Sequence, residues 1–220
     1  MQEEGLYQWY PLPEDDKEIL KHRKKQLHYE KGENLIKQGA FASHILYIQT
    51  GLVRVFLQNK GQKQVNIRVA GSGSFLGFAS LFGEDSYTCS AVAIKDCRVC
   101  MIDRDGLLSL LSRNSAFAMR LTAQNVQDES HLLKLISLLS HQQMRGKLAH
   151  ALLYLSRDEF LREDIFFHLT RQDLAGFAAI TAESAIRFLK EFEKSGILEL
   201  SGKDIRIINK TQLKEIAQKG

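Results

Sequence analysis

Between Glu30 and Asp103, several segments alternate apolar and polar residues, the pattern of half-buried β-strands. Glycines recur between these short segments, which are rich in β-branched and aromatic residues. The segments that we predict as strands are Ile45–Ile48, Val53–Leu57, Val65–Val69, Ser90–Ile94 and Arg98–Ile102. Many short strands at regular spacing predict a β-sandwich or a β-barrel for this part of the chain.

A long helical segment follows, from about Asn114 to His141, without proline or glycine. Its second half has leucine and isoleucine around most of the circumference, so two faces must be buried. We expect one face to pack on its own domain and the other on the same helix of a second copy. Asn125 and Asp128 would then set the register of the pair. A helix internal to one chain is the alternative. The stripe at helical spacing comprises Ala118, Leu121, Asn125, Asp128, Leu132, Leu135 and Leu139.

The last third of the chain contains signals for two short helices. A capping-box-like pattern at Thr170 predicts a helix over Arg171–Phe177. After a four-residue turn, Thr181 is a candidate N-cap for a second helix over Ala182–Lys194. Two helices at this spacing are typical of a helix-turn-helix, and a predicted hairpin over 197–208 would form a wing.

The second predicted helix carries Glu183 and Arg187 on one face, because residues four apart lie one above the other. In DNA-binding helix-turn-helix proteins the first turns of this helix enter the major groove. Arginine can contact guanine there, and glutamate can accept a hydrogen bond from cytosine. An ion pair on the helix surface is the alternative interpretation of these two residues. The residues that we expect to contact DNA phosphates are Arg171, Thr181, Ser184, Gly202 and Lys203.

Composition narrows the class of protein. Hydrophobic residues make up 44% and charged residues 25% of the 220 residues, which is ordinary for a folded globular chain. No apolar run is long enough for a membrane span, and Met1–Tyr10 lacks a signal-peptide pattern, so we expect a cytoplasmic protein without a membrane partner. The net charge of +4 permits a nucleic-acid partner without requiring one. We interpret the basic cluster Lys21–Lys25 as a solvated helix face.

Motifs for catalysis or metal binding are missing from the sequence, so we predict no enzyme, no metal and no cofactor. A cupin-like enzyme, the main alternative class, would need histidine and carboxylate ligands that the predicted strands do not supply. Cys97 and Cys100 have CxxC spacing, but on a strand they would point to opposite faces, so we predict structural roles for both. His44 could serve a haem or a metal, although a hydrogen-bonded structural histidine is the simpler interpretation.

Two segments closely resemble the Crp/Fnr family of bacterial transcription regulators. Glu30–Val55 is similar to the opening of the family's cyclic-nucleotide-binding-like β-roll, and Leu169–Glu193 is similar to its winged helix-turn-helix. The resemblance implies an α+β fold in which residues 1–112 form the β-roll (a jelly roll), 113–141 a long dimerisation helix and 142–220 a winged helix-turn-helix. It also implies a homodimer that reads a near-palindromic site in double-stranded DNA, with RNA polymerase as a further partner.

The resemblance also implies roles for single residues. Glu183 and Arg187 match the family's base readers, which implies half-sites containing TGA. Ala182 and Ile186 depart from the arginine and the serine found in two branches of the family, so the outer base preferences stay open. Ala179 replaces the usual turn glycine, at an expected cost of about 1 kcal/mol if it is left-handed. An interaction module with a vestigial helix-turn-helix is the alternative, and the retained Glu183 and Arg187 argue against it.

The sensor pocket departs further from the family pattern. Cyclic-nucleotide binders have glutamate in place of Phe78 and Arg-Ser in place of Tyr87 and Thr88, and Leu132 and Leu133 replace hydroxyl residues that touch adenine. These departures argue against cyclic AMP and cyclic GMP and leave a different small-molecule effector open. No cysteine precedes Cys89, which argues against an iron–sulfur sensor. The residues of this degenerate effector pocket are Gly77, Phe78, Ser80, Tyr87, Thr88, Leu132 and Leu133.

Overall fold

The computed structural model describes residues 6, 10–59, 61, 63–83 and 85–219. Most of Met1–Tyr10, on which the signal-peptide expectation rests, lies outside the described residues. The chain divides into two compact units. The first comprises Met1–Gln58 and Arg68–His131, and the second comprises Asn59–Ile67 and Leu132–Gly220.

Two four-stranded sheets, with strand orders β1-β8-β3-β6 and β2-β7-β4-β5, form the β-roll. A single 3₁₀ turn, Phe78–Leu81, follows β6. The strands are β1 (Lys24–Tyr29), β2 (Asn34–Ile36), β3 (His44–Thr50), β4 (Val53–Gln58), β5 (Gln64–Ala70), β6 (Phe75–Leu76), β7 (Ser90–Ala93) and β8 (Cys97–Asp103). The accompanying helices are α1 (Glu14–Lys21), α2 (Arg104–Arg113) and α3 (Ser115–His141). All five predicted strands are confirmed, whereas β1, β2 and β6 were not predicted.

The core of the first unit lies between the β1-β8-β3-β6 sheet and the helices that cover it. Tyr47 on β3 and Phe75 on β6 pack with ring centroids 4.9 Å apart. Asp103 is the N-cap of helix α2. Its carboxylate accepts a hydrogen bond from the backbone N–H of Gly106 at 2.9 Å. The buried cluster comprises Leu6, Leu12, Leu20, Ile45, Tyr47, Phe75, Leu81, Cys100, Ile102, Leu107, Leu110, Phe117 and Leu121.

The basic cluster Lys21–Lys25 does not form one helix face, so that interpretation is wrong. The helix α1 ends at Lys21, and β1 begins at Lys24 and pairs antiparallel with β8. The cluster therefore straddles a helix end and the start of an edge strand. The backbone hydrogen bonds of β1 to β8 outweigh the helical preference of the lysines.

Alternation along β5 predicted a solvent-facing polar side, which is also wrong. Asn66 is only 1% exposed. Within the second unit, its side-chain amide donates a hydrogen bond to the carbonyl oxygen of Asp173 at 2.8 Å. A buried amide needs such a partner, and the pattern of the strand alone cannot show that one is present.

The second unit is mainly helical and ends with a hairpin and a last helix. Its elements are α4 (Met144–Leu155), α5 (Asp158–Leu161), α6 (Ile165–His168), α7 (Arg171–Ala178), α8 (Ala182–Lys194), β9 (Leu198–Ser201), β10 (Asp204–Ile207) and α9 (Lys210–Lys219). The helix α4 packs against α7, α8 and α9 and is the centre of this unit. It buries Leu148, Leu152 and Leu155 completely.

The long helix is confirmed as α3, Ser115–His141. Only Phe117 and Leu121 of its residues are buried. Four large apolar side chains of α3 are more than half exposed, which agrees with the excess of apolar surface that the sequence predicted: Met119 (70%), Val126 (53%), Leu133 (61%) and Ile136 (60%). None of the helices in the described ranges is long and apolar enough to cross a membrane.

Candidate nucleic-acid interface and effector pocket

The helix α7 begins with the predicted capping box. The Thr170 hydroxyl accepts a hydrogen bond from the backbone N–H of Asp173 at 3.0 Å, and the Asp173 carboxylate accepts one from the Thr170 N–H at 2.9 Å. The two bonds satisfy donors that a helix N-terminus otherwise leaves open. This prediction is confirmed, and Asp replaces the usual Glu without loss of either bond.

The turn between α7 and α8 contains Ala179 with φ +50°. This is the left-handed conformation, which glycine adopts more easily than alanine. Ala179 closes α7 because its N–H bonds to the carbonyl oxygens of Ala175 and Gly176. The conformation costs about 1 kcal/mol for an L-residue, and the hydrogen bonds of the turn hold the residue there.

The helix α8 spans Ala182–Lys194, as predicted. The Thr181 hydroxyl accepts a hydrogen bond from the Ser184 N–H at 3.2 Å, which confirms Thr181 as its N-cap. Its inner face buries three side chains, so the position and rotation of the helix are set by packing: Ala185, Leu189 and Phe192.

The outer face of α8 carries the predicted base readers. Glu183, Ile186 and Arg187 are exposed, and Ala182 lies half-buried at the first helical position. Hydrogen bonds from its own backbone N–H and from the Thr181 hydroxyl lower the pKa of Glu183, so its side chain is an acceptor at neutral pH.

Arg187 places its guanidinium 4.7 Å from the centroid of the Phe188 ring. Across the part of the chain that the structure describes, no ion pair joins Glu183 to Arg187. The surface ion pair considered as an alternative for these two residues is therefore not formed.

A wing follows α8, as predicted. The strands β9 and β10 pair antiparallel and are joined by Gly202 and Lys203. Gly202 has φ +60°, which a two-residue hairpin turn requires of its first residue. Both turn residues are exposed, and the guanidinium of Arg171 donates hydrogen bonds to their carbonyl oxygens at 2.9 and 3.2 Å.

The predicted phosphate contacts thus fall into two groups within the second unit. Arg171, Gly202 and Lys203 meet at the wing turn. Thr181 and Ser184 share the hydrogen bond at the N-terminus of α8.

The candidate effector pocket begins at the turn after β6. Gly77 has φ +81°, and a Cβ atom there would lie 2.8 Å from Cε1 of Tyr87, so the position requires glycine. The buried Ser80 hydroxyl donates a hydrogen bond to the Gly77 carbonyl oxygen at 2.6 Å. The ring of Phe78 packs against the core of the first unit and lies edge-on to Phe82, with centroids 5.6 Å apart.

Tyr87 replaces the arginine of cyclic-nucleotide binders, and its hydroxyl is used within the protein. It donates a hydrogen bond to the carbonyl oxygen of His44 at 2.8 Å, and Thr88 beside it is exposed. The structure therefore brings Gly77, Ser80 and Tyr87 together. Leu132 and Leu133 belong to the second unit and are half-buried and exposed, respectively.

An ion pair that the sequence did not predict lies within the first unit. Arg68 of β5 donates a hydrogen bond to the Phe75 carbonyl oxygen at 3.0 Å and pairs with the Asp128 carboxylate at 3.2 Å. The Arg68 side chain is 15% exposed. Burial raises the pKa of Asp128, whereas Arg68 and His131 lower it.

Asp128, which was predicted for the dimer seam, therefore bonds within its own unit. Arg68 and Asp128 are far apart in sequence, so no local pattern could have linked them. The only signal was a single charged residue in β5.

The cysteines are free thiols inside the first unit. Cys97 and Cys100 both lie on β8, and burial raises the pKa of each thiol to about 11. Both are therefore protonated and unreactive at neutral pH, in agreement with structural roles. Among the described residues, no three His, Cys, Asp or Glu side chains form a group that could hold a metal ion.

Two family models match the chain, one in its first part and one in its last part. The family model for the cyclic nucleotide-binding domain matches residues 26–114. The model for the Crp-like helix-turn-helix domain matches residues 146–216. The two matches occur in the order predicted from the sequence.

Relatives and solved structures match most of the chain. The cyclic AMP receptor protein of Thermus thermophilus is 27% identical over 93% of both chains. The fumarate and nitrate reduction regulatory protein of Vibrio cholerae is 28% identical over 92% of this chain and 82% of its own. The structure of FixK2 from Bradyrhizobium japonicum, 22% identical, has the same fold over 88% of this chain and 96% of its own, with a TM-score of 0.75. This protein therefore belongs to the Crp/Fnr family of transcription regulators.

Proposed function

We propose that the protein is a homodimer that binds a near-palindromic site in double-stranded DNA through α8. Glu183 and Arg187 read bases in the major groove, where arginine pairs with guanine and glutamate accepts from cytosine. Ala182 and Ile186 border these contacts, and the methyl groups of Ile186 are suited to a thymine methyl group. The proposal includes no catalytic step.

The observation that carries this proposal is the division of α8 into two faces. Ala185, Leu189 and Phe192 are buried and hold the helix on its unit, while Glu183 and Arg187 are exposed near its N-terminus. Two exposed polar residues on a helix fixed by packing form a preorganised reading surface.

Phosphate contacts would surround this surface. Thr181 and Ser184 lie at the N-terminus of α8, where backbone N–H groups favour a negative charge. Lys203 and Gly202 at the wing turn are exposed and can reach a second stretch of backbone. These contacts position the protein on DNA without reading sequence.

Dimerisation through α3 is supported by its exposed apolar residues. Met119, Val126 and Leu133 follow one another at intervals of seven, and Ile136 comes three residues later. The spacing of seven is that of successive a positions in a coiled coil, and Ile136 occupies the d position after Leu133. A second copy of the helix would cover these side chains, and a dimer would match a palindromic site.

We also propose that the protein does not bind a cyclic nucleotide as its effector. The Tyr87 hydroxyl bonds to a main-chain carbonyl, Phe78 packs on the core, and the nearby Arg68 is paired with Asp128. A cyclic phosphate would find no unpaired arginine among these groups. We expect cyclic AMP to give no binding heat in calorimetry and to change DNA affinity less than about twofold. Saturable binding with tighter DNA association would contradict this.

In the cell, we place the protein in the cytoplasm, with RNA polymerase as its protein partner at promoters. The support is the family to which the chain belongs. Transcription in vitro from a promoter with the selected site, with and without the protein, tests this part of the proposal. A change in transcript level in either direction would support it.

The direct test of DNA recognition is selection of random duplex DNA by the purified protein at fixed salt without added ligand. We expect an enriched palindrome with TGA-containing half-sites. If a folded dimer enriches nothing, the selection is repeated with cell extract to supply a missing effector. No enrichment under either condition would favour an interaction module with a vestigial helix-turn-helix.

A further inference from the structure

Arg171, a candidate phosphate contact, bonds to the protein's own wing. Its Nη2 donates to the carbonyl oxygen of Gly202 at 2.9 Å, and its Nη1 donates to that of Lys203 at 3.2 Å. These are the carbonyls of the two residues that form the turn between β9 and β10. Arg171 itself is the first residue of α7. One side chain therefore joins the start of the helix-turn-helix to the tip of the wing.

The geometry suits a guanidinium and no other cation. Its two terminal nitrogens lie in one plane and donate in parallel, so they can bond to two neighbouring carbonyls at once. A lysine ammonium is a compact charge and cannot span both in the same way. Arg171 is half-buried, and burial lowers its pKa, an effect that the nearby Asp204 opposes.

The strands of the wing are anchored along their length, whereas the residues at its tip are exposed. Leu198 and Ile205 are each only 3% exposed and anchor the strands. The Leu200 N–H donates to a carboxylate oxygen of Glu193 on α8 at 3.3 Å. Residues 201–204 are all exposed. A two-stranded hairpin is marginally stable by itself, so a tip without further contacts would move.

We propose that Arg171 is a positioning residue that fixes the wing turn against the start of α7. This inference rests on the proposed function. Through the two hydrogen bonds, Lys203 and the backbone of Gly202 keep a constant position relative to the recognition helix α8. DNA then meets a wing that is already in place, and binding does not have to order it.

The test compares Arg171→Lys with Arg171→Met. The lysine variant keeps the charge and loses the two-carbonyl clamp, whereas the methionine variant loses both. We expect both to weaken binding to the selected DNA site by a similar factor, about tenfold. We also expect faster hydrogen exchange of the wing peptide 198–207 in both free proteins. In the lysine variant, the slope of affinity against salt concentration should stay at the wild-type value.

Lys203→Met is the matched control. It removes a wing charge but keeps the carbonyl oxygen that Arg171 binds. We expect it to lower the salt slope by about one and to leave exchange of the wing peptide unchanged.

A phosphate contact by Arg171 would give a different result. The lysine variant would then bind DNA almost as wild type does, and only the methionine variant would lose affinity and salt slope. That result, or wing exchange unchanged in both variants, would overturn the proposal. Because exchange is measured on the free protein, it tests the clamp even if the wild type binds no specific DNA. Circular dichroism melting of each variant verifies that it folds.

Discussion

The helix-turn-helix and the effector pocket follow their family patterns to different degrees. In the helix-turn-helix, Thr170 and Thr181 form the expected capping bonds with residues three positions later. In the pocket, the decisive bonds join distant segments, as in Tyr87 to His44 and Arg68 to Asp128. A motif made of hydrogen bonds between residues a few positions apart can therefore be predicted from the sequence. A pocket made of distant side chains changes its chemistry when a few of them change.

We expect the largest effect on DNA binding from substitutions in the exposed apolar row of α3, which belongs to neither the helix-turn-helix nor the effector pocket. Val126→Asp with Leu133→Asp places two charges in the exposed apolar row of α3, where the proposed dimer would bury them. We expect a monomer in sedimentation velocity. DNA affinity should fall by at least about 100-fold, because two-site binding is lost.

Phe167→Asp is the control, because Phe167 is 59% exposed and comparable to Leu133 at 61% but lies outside α3. We expect it to stay dimeric. A dimeric double variant would mean that α3 does not form the interface.

Arg187→Ala tests the helix-turn-helix side of the comparison. We expect a loss of about 1–3 kcal/mol in DNA binding, concentrated at one base pair whose identity then matters less. Binding to a set of sites with single base changes measures both quantities. Arg162→Ala, which removes an exposed arginine between α5 and α6, should leave the base preference unchanged. A loss that is uniform over all sites would make Arg187 a phosphate contact.

Arg68→Met tests how much the ion pair between Arg68 and Asp128 contributes to stability. The change leaves the Asp128 carboxylate and the Phe75 carbonyl without this donor, and we expect the free energy of unfolding to fall by about 1–2 kcal/mol. Urea denaturation measures it. Arg98→Met, at an exposed position of β8, should stay within about 0.5 kcal/mol of wild type. Equal stability of the two variants would mean that the internal pair contributes little.

Ala179→Gly tests whether the turn between α7 and α8 is strained. Glycine adopts φ +50° without strain, so we expect the variant to be more stable by about 0.5–1 kcal/mol. The adjacent Ala178→Gly is the control with the opposite sign, because Ala178 is helical and buried. If Ala179→Gly also destabilises the protein, the left-handed turn is not strained.

We expect the smallest effect on the pH dependence of folding stability, through His150. Burial lowers the pKa of His150 below 6.5, and a hydrogen bond with the backbone of Ala217 on α9 partly opposes this. The unfolded chain therefore binds a proton at higher pH than the folded protein does. The contribution of His150 to stability is complete above about 6.5 and declines as the pH falls toward the folded pKa. His150→Gln should remove this decline in urea titrations at several pH values. A slope identical to wild type would contradict it.

Most of the helix-turn-helix could be predicted before the structure, because its signals are local. The caps, the bounds of α8 and the wing hairpin are all confirmed. The hydrogen-bond partners of Arg171 could not be predicted in the same way. Its residue type suited a phosphate contact, whereas its hydrogen bonds to Gly202 and Lys203 join segments about thirty residues apart.

The β-roll was predicted less completely. Its five clear strands were found from alternation, but β1, β2 and β6 were missed, since β2 and β6 are short and β1 lies within a basic segment. Alternation also failed at Asn66, which is buried against a distant carbonyl. Sheet edges and buried polar groups depend on partners that the strand's own sequence does not contain.

The order of residues along this chain was enough to establish a β-rich first part, a long helix with exposed apolar side chains and a capped helix-turn-helix with two exposed charged residues on its second helix. Each of these depends on periodicity or on hydrogen bonds within a few positions, which are encoded locally. The partners of Arg68, Tyr87, Asn66 and Arg171 became known only once the chain was folded. Every one of them is a polar group whose acceptor lies in another element, and only the packing of those elements brings donor and acceptor within reach.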